Sequence, residues 1–151
     1  MPNDCSDYKR SNRPGITAII VNKNKVLLLK RRRVPIILNP GIWGFLSGGR
    51  DGKETYINTA YREIKEETGI GKEKLTLLGS MYGIDCFDRN RRIKWQNAVF
   101  FFRSSTSRVN LDIENKSFRW APISDIRAHR TYTNVFCNEE KVLKKFEELR
   151  S

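Results

Sequence analysis

Cysteine, histidine and long apolar runs are all scarce in this 151-residue chain. The three cysteines, Cys5, Cys86 and Cys137, are odd in number, widely separated and form no CxxC pair, and so do not suggest a disulfide framework or a zinc site. A reducing, cytoplasmic setting is the expectation. No apolar run approaches the length needed to cross a bilayer: the segment PIILNPGIW is too short and is broken by proline, so no membrane partner is expected. The first residues, MPNDCSDYKRSNRPG, lack the apolar core of a secretory signal. Negative charge is also in deficit, with 17 acidic against 29 basic residues and a net charge of +12. That imbalance attracts polyanions, with a steering effect that weakens as salt rises. Phosphorylated small molecules, RNA ends and bulk nucleic acid all satisfy it equally.

What is present fits one soluble domain. Hydrophobic content of 38% and charged content of 30% are ordinary for a globular chain, and the length suffices for a real core. Residues 1–13 read as a polar lead-in, mobile unless it pairs with a sheet edge, and residues 14–151 as the domain.

Chemistry concentrates between Gly48 and Ile70, in GGRDGKETYINTAYREIKEETGI. Ile57, Ala60, Tyr61 and Ile64 recur at helical spacing and form an apolar stripe. The helix is predicted to begin near Glu54 to Tyr56 and to stop at Gly69, a residue suited to a left-handed cap. Glu63, Glu66 and Glu67 stand at i, i+3 and i+4, so their carboxylates crowd onto one side of it. A solvated charged face is the ordinary reading of such a helix. A hard divalent cation would relieve the repulsion, and Mg²⁺ or Mn²⁺ prefers oxygen ligands.

Gly48, Glu54, Arg62, Glu63, Ile64, Glu66, Glu67, Gly69 and Ile70 spell G-x5-E-x7-R-E-U-x-E-E-x-G-U, with U an aliphatic residue, at all nine fixed positions. Chance odds are on the order of 10⁻⁹ per starting point on average residue usage. This resembles the Nudix box, and the similarity to MutT-like Nudix proteins extends over roughly residues 14–127. The resemblance implies an α/β/α sandwich with a mixed sheet, and a metal-dependent hydrolase that splits a nucleoside diphosphate linked to another group. It implies that Glu66 and Glu67 hold Mg²⁺ or Mn²⁺. Glu63 would bind metal or activate water, Arg62 and Glu54 would form an orienting ion pair, and the Gly48 backbone would lie near the metal. Ser47 stands where many members have proline or glycine, which leaves open whether its carbonyl or that of Gly48 faces the metal. A glutamate before the Phe118-Arg119-Trp120 strand reaches the metal site in many members; Glu114 matches best, with Asp112 behind it. Glu63 and Glu114 are both candidates for the general base.

The flanking chain offers further candidates. Arg31 and Arg32, in the basic run Lys30 to Arg33, read either as a solubilising strand end or as cations that meet substrate phosphates. Trp95 and Tyr82 are candidates to stack on a nucleobase, with packing at least as ordinary. Trp43 and Phe45 read as packing residues, with base stacking as the alternative, and the only histidine, His129, as structural, with substrate contact as its alternative. Strands are predicted over residues 16–21, 25–29, 75–82, 93–102 and 118–120, with residues 83–91 as a polar connection. A short helix is predicted after Pro122, and a final helix from Thr133 or Asn134 to about Leu149. Asp85, Cys86 and Phe87 occupy places where members acting on ADP-ribose or dinucleoside polyphosphates carry proline or tyrosine. Those departures direct the expectation toward a nucleoside triphosphate or modified nucleotide. The alternatives are a more highly charged polyphosphate, such as a 5′-triphosphate RNA end or a diphosphoinositol compound, and a module that binds nucleotide or RNA without cleaving it. Dimers are common in the family, so a homodimer is an open expectation.

Overall fold

A computed structural model describes residues 6–12, 14–31, 43–88, 92–113, 115–128 and 139–150. Among these, eight strands form one mixed sheet. Strand β2 (Gly15–Asn22) is central. It runs parallel to β7 (Ile93–Ser104) from Gly15↔Asn97 to Val21↔Arg103. On its other side it meets β3 (Lys25–Arg31) at the Asn22–Lys25 turn and β5 (Leu46–Gly49) over Gly15–Ala18, both antiparallel. Strand β8 (Asn115–Pro122) and the short β4 (Trp43–Gly44) pair with β3, β6 (Leu75–Asp88) with β7, and β1 (Lys9–Arg10) runs parallel to the start of β7.

Alternation along β2 and β7 divides the interior into two layers. Ile16, Ala18, Ile20, Phe100 and Phe102 form one cluster with Ala60 and Ile64 of helix α1 (Tyr56–Thr68). Ile19, Val21, Val99 and Phe101 form the other with Val142, Leu143 and Phe146 of helix α3 (Glu139–Arg150). Both faces of the sheet are covered, which is why β2 reads as a nearly unbroken apolar run. The architecture is the expected α/β/α sandwich. Helix α2 (Ile123–Ala128) follows Pro122 as predicted.

Helix α1 starts where its chemistry dictates. The Thr55 hydroxyl accepts a hydrogen bond from the Asn58 amide, and Gly69 closes the helix at φ 76°. The lead-in takes the sheet-edge alternative at Lys9 and Arg10, which pair with Ile93 and Lys94. One expectation changes. Residues 83–88 are strand, not connection: Gly83, at φ 67°, sits in an irregularity between Met81 and Ile84, after which β6 resumes with Ile84, Cys86 and Phe87 buried. An isolated glycine that reads as a turn marks a bulge here. The final helix is described from Glu139; Thr133, Asn134, Val135, Phe136 and His129 lie outside the described residues.

Candidate active site

Arg62 of α1 gathers three carboxylates, those of Glu54, Glu63 and Glu66. Its Nε donates to Glu54 Oε2 at 2.8 Å and its Nη2 to Glu54 Oε1 at 3.0 Å, a two-pronged grip. The same guanidinium donates from Nη1 to Glu63 Oε1 at 2.8 Å and Glu66 Oε2 at 3.2 Å, and from Nη2 to the Gly49 carbonyl at 2.9 Å. Glu54 also accepts from the Asp51 amide and the Thr59 hydroxyl. Hydrogen bonding from Arg62, with help from the Asp51 amide, holds the Glu54 carboxyl down at about 2. The Arg62 guanidinium is in turn raised above its ordinary value, mainly by Glu54.

Glu63 and Glu67 occupy a different environment. Burial pushes Glu63 above the usual carboxylate range, against the pull of Arg62 and a side-chain hydrogen bond with Glu67. Its carboxyl lies against the α-carbon of Gly48, so closely that a Cβ there would fall 2.2 Å from Glu63 Cδ. Glu67 is 1% exposed, and its Oε1 accepts from Asn115 Nδ2 at 3.0 Å. The same Nδ2 donates to Asp112 Oδ1 at 3.0 Å, so Asn115 ties Asp112 to the box helix. Asn115 escaped the sequence reading because its partner is 48 positions away and no motif marks it.

Arg62, Glu54, Glu63 and Glu66 therefore converge, with Glu67 beside Glu63. Among the described residues no group of three acidic, histidine or cysteine side chains is gathered in metal-holding geometry. The donor chemistry nevertheless suits a hard cation: the side chains are oxygen donors, burial disfavours charge at Glu63, and Asn115 Oδ1 is buried with no hydrogen-bond partner. The backbone register sets Arg31 across from Asn115, which places it by the Glu67 end of the site. Arg32 and Glu114 lie outside the described residues. Tyr82 is 62% exposed and meets Phe100 edge-on at 6.0 Å, toward the α1 layer. Trp95 is half-buried and packs against the α3 layer, so these two aromatic candidates do not form one platform. Phe45 is buried and Trp43 packs against the same α3 layer, as packing residues should.

The NUDIX domain family model matches residues 11–139. The chain belongs to the Nudix family. It is 36% identical over 117 residues to Nudix hydrolase 2 of Arabidopsis thaliana, a match spanning 74% of this chain and 40% of that protein. It is 32% identical over 76 residues to an RNA pyrophosphohydrolase of Thioalkalivibrio sulfidiphilus, spanning 50% of this chain and 39% of that one. The chain thus spans about two fifths of the length of these curated relatives. Among solved structures, a MutT Nudix hydrolase from Burkholderia pseudomallei aligns with a TM-score of 0.60 and 29% identity over 74% of this chain and 84% of that one. A C. elegans Ap4A hydrolase aligns with a TM-score of 0.69 at 21% identity, over 90% and 96% of the two chains, a likeness of fold.

Proposed function

We propose that this Nudix protein is a divalent-metal-dependent pyrophosphohydrolase that cleaves a phosphoric anhydride bond in a nucleotide, a nucleoside triphosphate or modified nucleotide in the first instance. The observation that carries this reading is the convergence of the box carboxylates beside the Gly48 loop: Arg62 gathers Glu54, Glu63 and Glu66, and Asn115 holds Glu67. Glu66, Glu67 and Glu63 would hold Mg²⁺ or Mn²⁺, with a loop carbonyl at Ser47 or Gly48. Bound there, the cation would supply charge neutralisation at phosphoryl oxygens and lower the pKa of water.

The protein's own residues then orient and accept protons. Water forms the new bond to phosphorus as the bridging P–O bond breaks, and the water proton passes to a carboxylate, Glu63 or Glu114. Glu63 is suited to that task because burial raises its basicity. Arg62 fixes the rotamers of Glu63 and Glu66, so turnover depends on its fork as much as on its charge. Arg31 and Arg32 would meet substrate phosphates.

The relatives that are RNA pyrophosphohydrolases, together with the +12 charge, favour a second reading: a 5′-triphosphate RNA end as substrate. A module that binds without cleaving is disfavoured by the intact glutamates. The deciding experiment is release of phosphate or pyrophosphate with Mg²⁺ or Mn²⁺ from nucleoside triphosphates, ADP-ribose, dinucleotides and a short triphosphorylated RNA. Glu67→Gln serves as the control. A hit lost in the mutant supports the hydrolase. Silence from a folded wild-type protein that still binds RNA or nucleotide would overturn it.

A further inference from the structure

Gly15, at the start of β2, lies next to the glycine loop of the box. Gly15 pairs with Gly49 on one side and with Asn97 on the other, so it lies in the sheet directly beside the loop. A Cβ at Gly15 would lie 2.7 Å from the Gly48 carbonyl oxygen and 3.0 Å from Asn97 Oδ1. The Asn97 amide is the end of a side chain and can yield. The Gly48 carbonyl is backbone in a strand ladder and can move only by shifting the loop. That same Gly48 presents its bare α-carbon to the Glu63 carboxyl from the α1 side. Gly48 is therefore confined on two sides, by the backbone of Gly15 within the sheet and by the Glu63 carboxyl from α1.

We propose that Gly15 is a positioning residue: its missing side chain lets the Gly48 peptide close onto β2, which sets where Glu63 and the loop carbonyls meet the cation. This rests on the hydrolase reading above for its activity readout, but its metal readout does not.

The test is Gly15→Ala, with Gly44→Ala as the control because a Cβ at Gly44 meets nothing within 4 Å. Mn²⁺ binding is followed by electron paramagnetic resonance and turnover by phosphate release. Gly15→Ala should weaken Mn²⁺ binding by about 10- to 100-fold and lower kcat by about 100-fold with KM nearly unchanged, as expected when groups around a metal are displaced by about 1 Å. Gly44→Ala should match the wild type. Adding Asn97→Ala to Gly15→Ala should restore neither value, since the backbone clash remains. Wild-type Mn²⁺ affinity in Gly15→Ala, or full rescue by Asn97→Ala, would overturn the proposal. Hydrogen exchange on the wild type gives a reading that needs no variant to fold. The Gly48 amide should be protected to within about tenfold of Ile16, its ladder partner, and exchange as fast as an open loop would overturn the proposal. A wild type that binds Mn²⁺ but cleaves nothing would sink the hydrolase reading and leave Gly15 to be judged on metal binding and exchange.

Discussion

Arg62 holds Glu54 by both carboxylate oxygens, at 2.8 and 3.0 Å, across the loop that precedes helix α1. The grip lowers the folded-state pKa of Glu54 from 4.5 to about 2. A depressed carboxyl contributes stability that is fully present above its unfolded pKa and is lost as pH falls through the folded value. The Tm gap between wild type and Glu54→Gln should therefore be constant above about pH 5 and close between roughly pH 4.5 and 2. Melting curves across that range check it; a gap that ignores pH would contradict it. Arg62→Lys keeps the charge but loses the fork, and should lower kcat by about 10- to 100-fold.

Asn115 holds Glu67 at 3.0 Å from a strand far away in sequence. Asn115→Ala removes that donor from a buried carboxylate and should cost about 1–3 kcal/mol of stability. It should also weaken Mn²⁺ binding by about 10- to 100-fold, as loss of a ligand-orienting partner does. Denaturant titration and metal titration on the same preparation would separate the two effects. Unaltered Mn²⁺ affinity in a destabilised Asn115→Ala would reduce Asn115 to a packing role.

Phe146 of α3 is 2% exposed and stacks on Phe101 at 6.2 Å between ring centres. It lies on the face of the sheet opposite α1. Phe146→Ala should cost about 3–5 kcal/mol, as large core truncations do. Mn²⁺ affinity of the folded fraction should hold, because the box helix packs on the other layer. A loss of metal binding equal to that of Asn115→Ala would mean the two layers are coupled.

The box was legible because its residues lie close in sequence and their spacing is the helix period. Thr55 and Gly69 cap α1 at both ends of the predicted span, and Ala60 and Ile64 face the core as the stripe requires. What sequence did not show depends on contacts between distant segments. Asn115 and Gly15 carry no local signature; each matters only because the sheet brings it to Glu67 or Gly48. The parallel pairing of β2 with β7 is of the same kind. Gly83 misled for the opposite reason: its local turn preference is real, but β6 absorbs it as a bulge and continues beside β7.

Lys9 and Arg10 of β1 run beside Ile93 and Lys94, three to four residues along β7 from Asn97, which neighbours Gly15 beside the glycine loop. At about 3.3 Å per residue this basic edge begins roughly 10 Å from the loop. An RNA strand that leaves the box along this edge would meet both cations. Each cation that binds a single strand adds about 0.7 to the slope of log affinity against log salt. For a nucleoside triphosphate substrate, kcat/KM should fall gently with salt and ignore the combined Lys9→Ala and Arg10→Ala substitutions. That is the expected outcome. A steep slope with triphosphorylated RNA that flattens by about 1.4 on losing these two cations would assign the site to RNA ends instead. Measuring both substrates from 50 to 200 mM salt decides between them, because the two readings differ in whether the β1 cations take part in binding.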